Sequence, residues 1–131
     1  MSDKAISHEY LNGLVFDLEK AFWDERGRGC RFRMMEVGRD IYEKDCKDRI
    51  QSPDIPVIVH AVKEVLIDKG IAAEVAFSQE DLTLRVSVGG CLHLPVEERM
   101  LEKGIEPFTC VPANLIIMGI EDKLNRQVEL A

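Results

Sequence analysis

The chain has 131 residues, 46% of them apolar and 31% charged, a composition that describes one ordinary globular domain and excludes a disordered or membrane-embedded chain. Its 24 acidic residues outnumber 17 basic ones, for a formal net charge of -7. That balance argues against nucleic acid as a principal partner, because affinity for a phosphate backbone comes largely from Lys and Arg displacing counterions.

The opening Met1-Ser2-Asp3-Lys4 lacks the charged-then-apolar pattern of a secretory signal. No apolar run approaches the ~18 residues of a spanning helix. A cytoplasmic location and no membrane span are therefore expected. In a reducing compartment Cys30, Cys46, Cys91 and Cys110, none of them in a CxxC pair, are expected as thiols or ligands rather than bridges.

In chain order, Leu11, Leu14, Val15, Leu18 and Phe22 recur at helical spacing, predicting an amphipathic helix from about Ser7 to Asp24 with Ser7 as its cap. Gly27-Arg28-Gly29 breaks it. Arg26, Arg28, Arg31 and Arg33 form the single basic cluster, flanked by Asp24, Glu25 and Glu36, and read as a solvated face. A second helix is predicted over Phe32 to Lys47, with Met34, Val37 and Ile41 on one stripe and Met35, Gly38, Tyr42 and Cys46 beside it.

Asp54 and Pro56 open a third helix whose buried stripe is Ile58, Ala61, Val62 and Val65, widened by Val59 and Leu66 and ended by Gly70. Two alternating runs follow, Ala73 to Phe77 and Leu82 to Val88. With a polar turn over Ser78 to Asp81 they predict an antiparallel hairpin. Gly89-Gly90 leads into Cys91-Leu92-His93, and Pro95 opens a short helix ending before Gly104. Pro112 opens a largely buried helix through about Lys123. Val128 and Leu130 alternate with Gln127 and Glu129, suggesting a third strand that either lies beside the hairpin centre or leaves an edge for another subunit to complete. The expected fold is α+β: one domain over 1–131, an antiparallel sheet of about three strands packed against four to five helices.

The candidate chemistry lies at Cys91, His93 and Cys110, which offer sulfur, nitrogen and sulfur donors suited to zinc. Cys46, Cys30, Glu98 and His60 are candidates for a fourth ligand. The bland alternative is that these cysteines are small apolar core residues. His60 and Glu64, four apart on one helix, suit acid-base chemistry but read first as a surface ion pair. Phe16, Met34 and Tyr42 are candidates for the wall of an apolar pocket, with core packing as the competing reading. Trp23 is a candidate for a dimer contact.

The order of these features is suggestive. Met34-Met35-Glu36-Val37-Gly38-Arg39-Asp40, a helix ending in Asp68-Lys69-Gly70, a hairpin, Cys91, then Phe108-Thr109-Cys110 and an apolar helix together resemble the four-vinyl reductase or hydrocarbon-binding domain family. The resemblance spans about Met34 to Leu130. It implies an α+β ligand-binding module, related in fold to vesicle-tethering transport-particle subunits, in which Cys and His residues are thought to hold metal. Cys91 and Cys110 match those positions. The chain lacks the family's C-terminal Cys-containing hairpin, and Val111-Pro112 stands where a glycine is usual.

The leading expectation is a ligand-binding or sensor domain with a pocket for a hydrophobic small molecule and a Cys91/His93/Cys110 metal site, as a homodimer. One alternative is a small enzyme using zinc-bound water or Cys91 activated by His93. Another is a homodimeric structural or interaction module without metal.

Overall fold

The computed structural model describes residues 7–27, 37–105 and 110–128. The described residues are α+β, with helices and a two-stranded antiparallel sheet. They divide into two compact units, Met1–Met35 with Leu92–Thr109, and Glu36–Cys91 with Cys110–Ala131.

In the first unit, α1 spans His8–Arg26. Ser7 caps it: its Oγ accepts from the Tyr10 amide at 3.4 Å, satisfying one of the first-turn N–H groups that have no carbonyl partner within the helix. Gly27, at φ 61°, closes the other end with its amide bonded to the Trp23 carbonyl. The second helix of this unit lies between His93 and Gly104. Pro95 occupies its first turn, where a missing N–H costs nothing. Phe16 packs with Val96, Met100 and Ile105 into a small core, bordered by Val15, Phe22 and Trp23.

The second unit opens with a composite helix, α2, which is α-helical over Arg39–Ile41, π-helical over Tyr42–Cys46 and 3₁₀ over Lys47–Arg49. The helix predicted from Phe32 is thus described only from Arg39. Gly38 precedes it at φ 98°, a left-handed conformation that a side chain would strain, so the glycine ends the approach to the helix rather than lying within it. Next comes α3, Ile55–Asp68, which buries Ile58, Val59, Ala61, Val62, Val65 and Leu66, the stripe read from the sequence. Gly70, at φ 71°, turns the chain out of it.

β1 (Glu74–Glu80) and β2 (Thr83–Gly89) pair from Glu74↔Gly89 to Glu80↔Thr83. The turn is only Asp81-Leu82, tighter than the four-residue turn expected, with Asp81 at φ 51°. Asp is among the few non-glycine residues that tolerate this conformation in two-residue hairpins. Val75↔Val88 and Phe77↔Val86 share one face of the sheet, and Val75 is buried in the core. Among the described residues the sheet has two strands. Val128 is not in a strand, and residues 129–131 of the expected third strand lie outside the described residues.

The helix between His93 and Gly104 is α4, Leu94–Glu102, and the last helix is α5, Val111–Leu124, ended by Asn125 at φ 56°. α5 returns to the second unit and packs on α3 and α2. Their approach is close because Gly119 has no side chain. A Cβ there would lie 2.7 Å from Ile58 Cγ2 and 3.3 Å from Ile50 Cδ1. The core of this unit is built on that contact and includes Tyr42, Cys46, Leu66 and Leu115. Among the described residues no helix is long and apolar enough to cross a membrane.

Gly119→Ala should therefore destabilise the second unit by about 1–3 kcal/mol, because backbone-anchored Ile58 has to move. Urea unfolding followed by circular dichroism measures this. Gly13→Ala, where nothing lies within 4 Å of the added methyl, should leave stability unchanged or raise it.

Candidate functional site

The predicted site residues fall in different places. Phe16 is buried in the α1–α4 core of the first unit, with the Arg99 guanidinium 3.9 Å from its ring centroid. Tyr42 is buried in the second unit, and its hydroxyl donates to Asp122 Oδ2 at 2.7 Å. Burial and that carboxylate acceptor hold the phenol well above its ordinary range. Met34 lies outside the described residues. Phe16 and Tyr42 thus each fill a packed interior, which is the core-packing reading of these aromatics.

Of the cysteines, Cys46 is fully buried beside Tyr42 on the π-helical turn, while Cys91 and Cys110 are half-buried. None of the three is in a disulfide. Burial, and after it Asp45, pushes the Cys46 thiol up to about 11. Cys91 and Cys110 belong to the second unit and His93 to the first. Among the described residues no group of three or more His, Cys, Asp or Glu side chains is arranged to hold a metal ion. Cys30 lies outside the described residues.

His93 has a defined local setting. Asn12 Nδ2 donates to the Leu92 carbonyl at 3.2 Å, which turns Asn12 Oδ1 toward His93 Nδ1, also at 3.2 Å. An amide oxygen only accepts, so Nδ1 carries the ring proton and Nε2 keeps its lone pair. Burial lowers the histidine pKa and favours this neutral form. Asn12 is itself 8% exposed, so its two bonds keep a buried amide satisfied.

Seven residues on, at the same side of α1, is Glu19. It is 6% exposed, and its Oε1 has no hydrogen-bond partner among the described residues. Burial, and beyond it the like charge of Glu97 on α4, raise its carboxyl to about 7. The leucine periodicity of α1 concealed both polar residues. The available signal was Asn12, Phe16 and Glu19 at i, i+4 and i+7, a second helical stripe.

The leucines themselves face the other way. Val15 and Phe22, at the margin of the predicted stripe, lean on the core. Leu11, Leu14 and Leu18 are exposed, Leu18 by 63%, with Tyr10 at 65% beside them. With exposed Ala21 they repeat at intervals of three, four and three residues, the spacing of two coiled-coil heptads. A groove beside the seam is lined by Leu14 together with Ser7, Glu9, Tyr10, Gly13, Asp17 and Arg99. His60 Nε2 and Glu64 Oε1 lie 2.9 Å apart on the exposed side of α3, the pairing the spacing suggested. Arg28, Arg31 and Arg33 lie outside the described residues.

Thiol alkylation read by site-resolved mass spectrometry should label Cys91 and Cys110 in the native protein and leave Cys46 unmodified until the second unit unfolds. Labelling of Cys46 at the rate of the other two would contradict its placement. Comparisons of the chain with protein families, with curated proteins and with solved structures gave no match.

Proposed function

We propose that this chain is an interaction module whose α1 seam pairs with α1 of a second copy, making a homodimer. The observation that carries this is the exposed line Leu11, Leu14, Leu18 and Ala21 on the side of α1 turned away from Phe16. A contiguous exposed apolar strip on a soluble chain marks a contact surface, and a seam of heptad spacing is complementary to itself.

The flanking residues favour a second copy in parallel. In that register Tyr10 lies against Val15 and Asp17 against Phe22 of the second copy, so no like charges are opposed; an antiparallel register sets Asp17 against Asp17. The seam is short for a free-standing coiled coil. Because α4 already holds the helix, little ordering entropy is left to lose on pairing.

Sedimentation velocity of the full chain at about 100 µM, a concentration that detects pairing of roughly -5.5 kcal/mol, should show a dimer. Leu14→Asp and Leu18→Asp should each weaken it more than tenfold, while helix content remains unchanged. Each copy carries -7, so added salt should strengthen pairing; a basic partner helix would show the opposite dependence. A wild-type monomer at that concentration overturns the proposal.

A second reading is the hydrophobic-ligand domain implied by the resemblance to the four-vinyl reductase family, with zinc held by Cys91, His93 and Cys110. The fixed Nδ1–H tautomer of His93 supports it, since ligating histidines donate their other N–H to an acceptor in this way. Zinc measured in freshly purified protein at about one per chain, and lost in His93→Ala, is the expected result of that reading.

A further inference from the structure

We propose that the α1–α4 helix pair is a proton-operated latch in which protonated Glu19 lets α1 lie on α4 and ionised Glu19 loosens it. The inference stands apart from dimerisation, because Glu19 lies on the side of α1 opposite the leucine seam.

Three observations carry it. Glu19 is 6% exposed and buried on α1 one turn from Phe16, which packs with Val96, Met100 and Ile105. Its Oε1 is buried and has no partner among the described residues, so nothing there offsets the lost hydration of that oxygen when the carboxyl ionises. The charge that acts on it from α4 is Glu97, of the same sign, so ionisation sets two carboxylates against each other across the contact.

The other titratable and charged groups of the helix pair have partners or are exposed; His8, Glu9, Glu25 and Arg26 on α1 and Lys103 at the end of α4 are exposed. Arg99 lies over the Phe16 ring, His93 is bonded to Asn12, and Lys20 pairs with Asp24 at 2.8 Å on the exposed side. Glu98 and Glu102 on α4 and Asp17 on α1 are exposed. Among the described residues, no cation is bonded to the buried Oε1 of Glu19.

The direction of the effect follows from linkage. Closed, the latch keeps its proton up to about 7; open, the carboxyl releases it near 4.5. The closed form thus binds more protons between those values. Stability of the contact is full below 4.5, falls as pH rises toward 7, and stays low above it.

Amide hydrogen exchange of the full chain, read on α1 and corrected for intrinsic rates, tests this between about pH 5.5 and 8.5. Opening of α1 should increase roughly tenfold or more over that range, while β1 and β2 remain unchanged. In Glu19→Gln, which cannot ionise, α1 should be protected at both pH values.

Glu97→Gln should move the transition to lower pH. Removing a like charge makes Glu19 easier to ionise and brings its carboxyl down toward 4.5, so the transition moves to lower pH and its amplitude shrinks. Three results overturn the latch: an α1 that responds to pH equally in wild type and Glu19→Gln, a wild-type α1 that does not respond, or a Glu19→Gln chain that fails to protect α1 at the lower pH. Repeating the comparison in the Leu18→Asp background separates the two proposals, since failure of pairing leaves the pH response of α1 in place.

Discussion

The second unit depends on the approach of α5 to α3 at Gly119. With no side chain at that position, Ile58, Ile50 and Tyr42 close over the helix, and a methyl group would meet Ile58 at 2.7 Å. Dispersion falls steeply with separation, so a core of Val, Ile and Leu gains most where backbones come this near. The π-helical turn over Tyr42–Cys46 belongs to the same contact. It buries both Tyr42 and Cys46 while leaving the phenol hydroxyl within 2.7 Å of Asp122. The hairpin is attached to this core through Val75, and the close approach of Gly90 to Ala73 lets the chain leave β2 beside the start of β1.

The first unit is governed by a different balance. Its apolar core is small, and two of the three buried positions of α1 are polar. Asn12 is satisfied there, bonded to a backbone carbonyl and to His93. Glu19 is not, and a buried carboxyl with one orphaned oxygen is tolerable only while it holds its proton. One helix face thus contains both a polar anchor that works at any pH near neutrality and a polar group whose fit depends on pH. The contrast is set by geometry: an amide supplies donor and acceptor together, whereas an ionised carboxylate can only accept.

Much of the architecture was legible in the sequence. Ser7, Pro95, Pro112 and Gly70 mark helix ends because each meets a backbone requirement that is local. The stripe of α3 was read correctly because that helix is apolar on one broad side and has a single way to be buried. α1 is the amphipathic helix its spacing predicts, capped by Ser7, but it has two stripes. Periodicity tells which residues share a side, not which side meets the protein, and the leucines outweighed Asn12, Phe16 and Glu19. Gly38 was placed inside a helix because its positive φ depends on the packing of Leu115 and Val111 around it, which spacing does not reveal. The pocket-wall reading of Phe16 and Tyr42 rested on residue type alone, and the same types fill cores.

The two sides of α1 pose one energetic question. Each exposed leucine forgoes part of the roughly 1.5–3 kcal/mol that full burial contributes, and the ionised form of Glu19 opposes burial on the other side. Rotating the helix by half a turn would bury the leucines and free the carboxyl, yet Phe16, Asn12 and the His93 contact would then be lost. The observed orientation is understandable if the leucines are buried by another molecule. The proposed second copy would remove the seam from water without disturbing the Asn12–His93 anchor, and the helix would then have a use for both of its stripes.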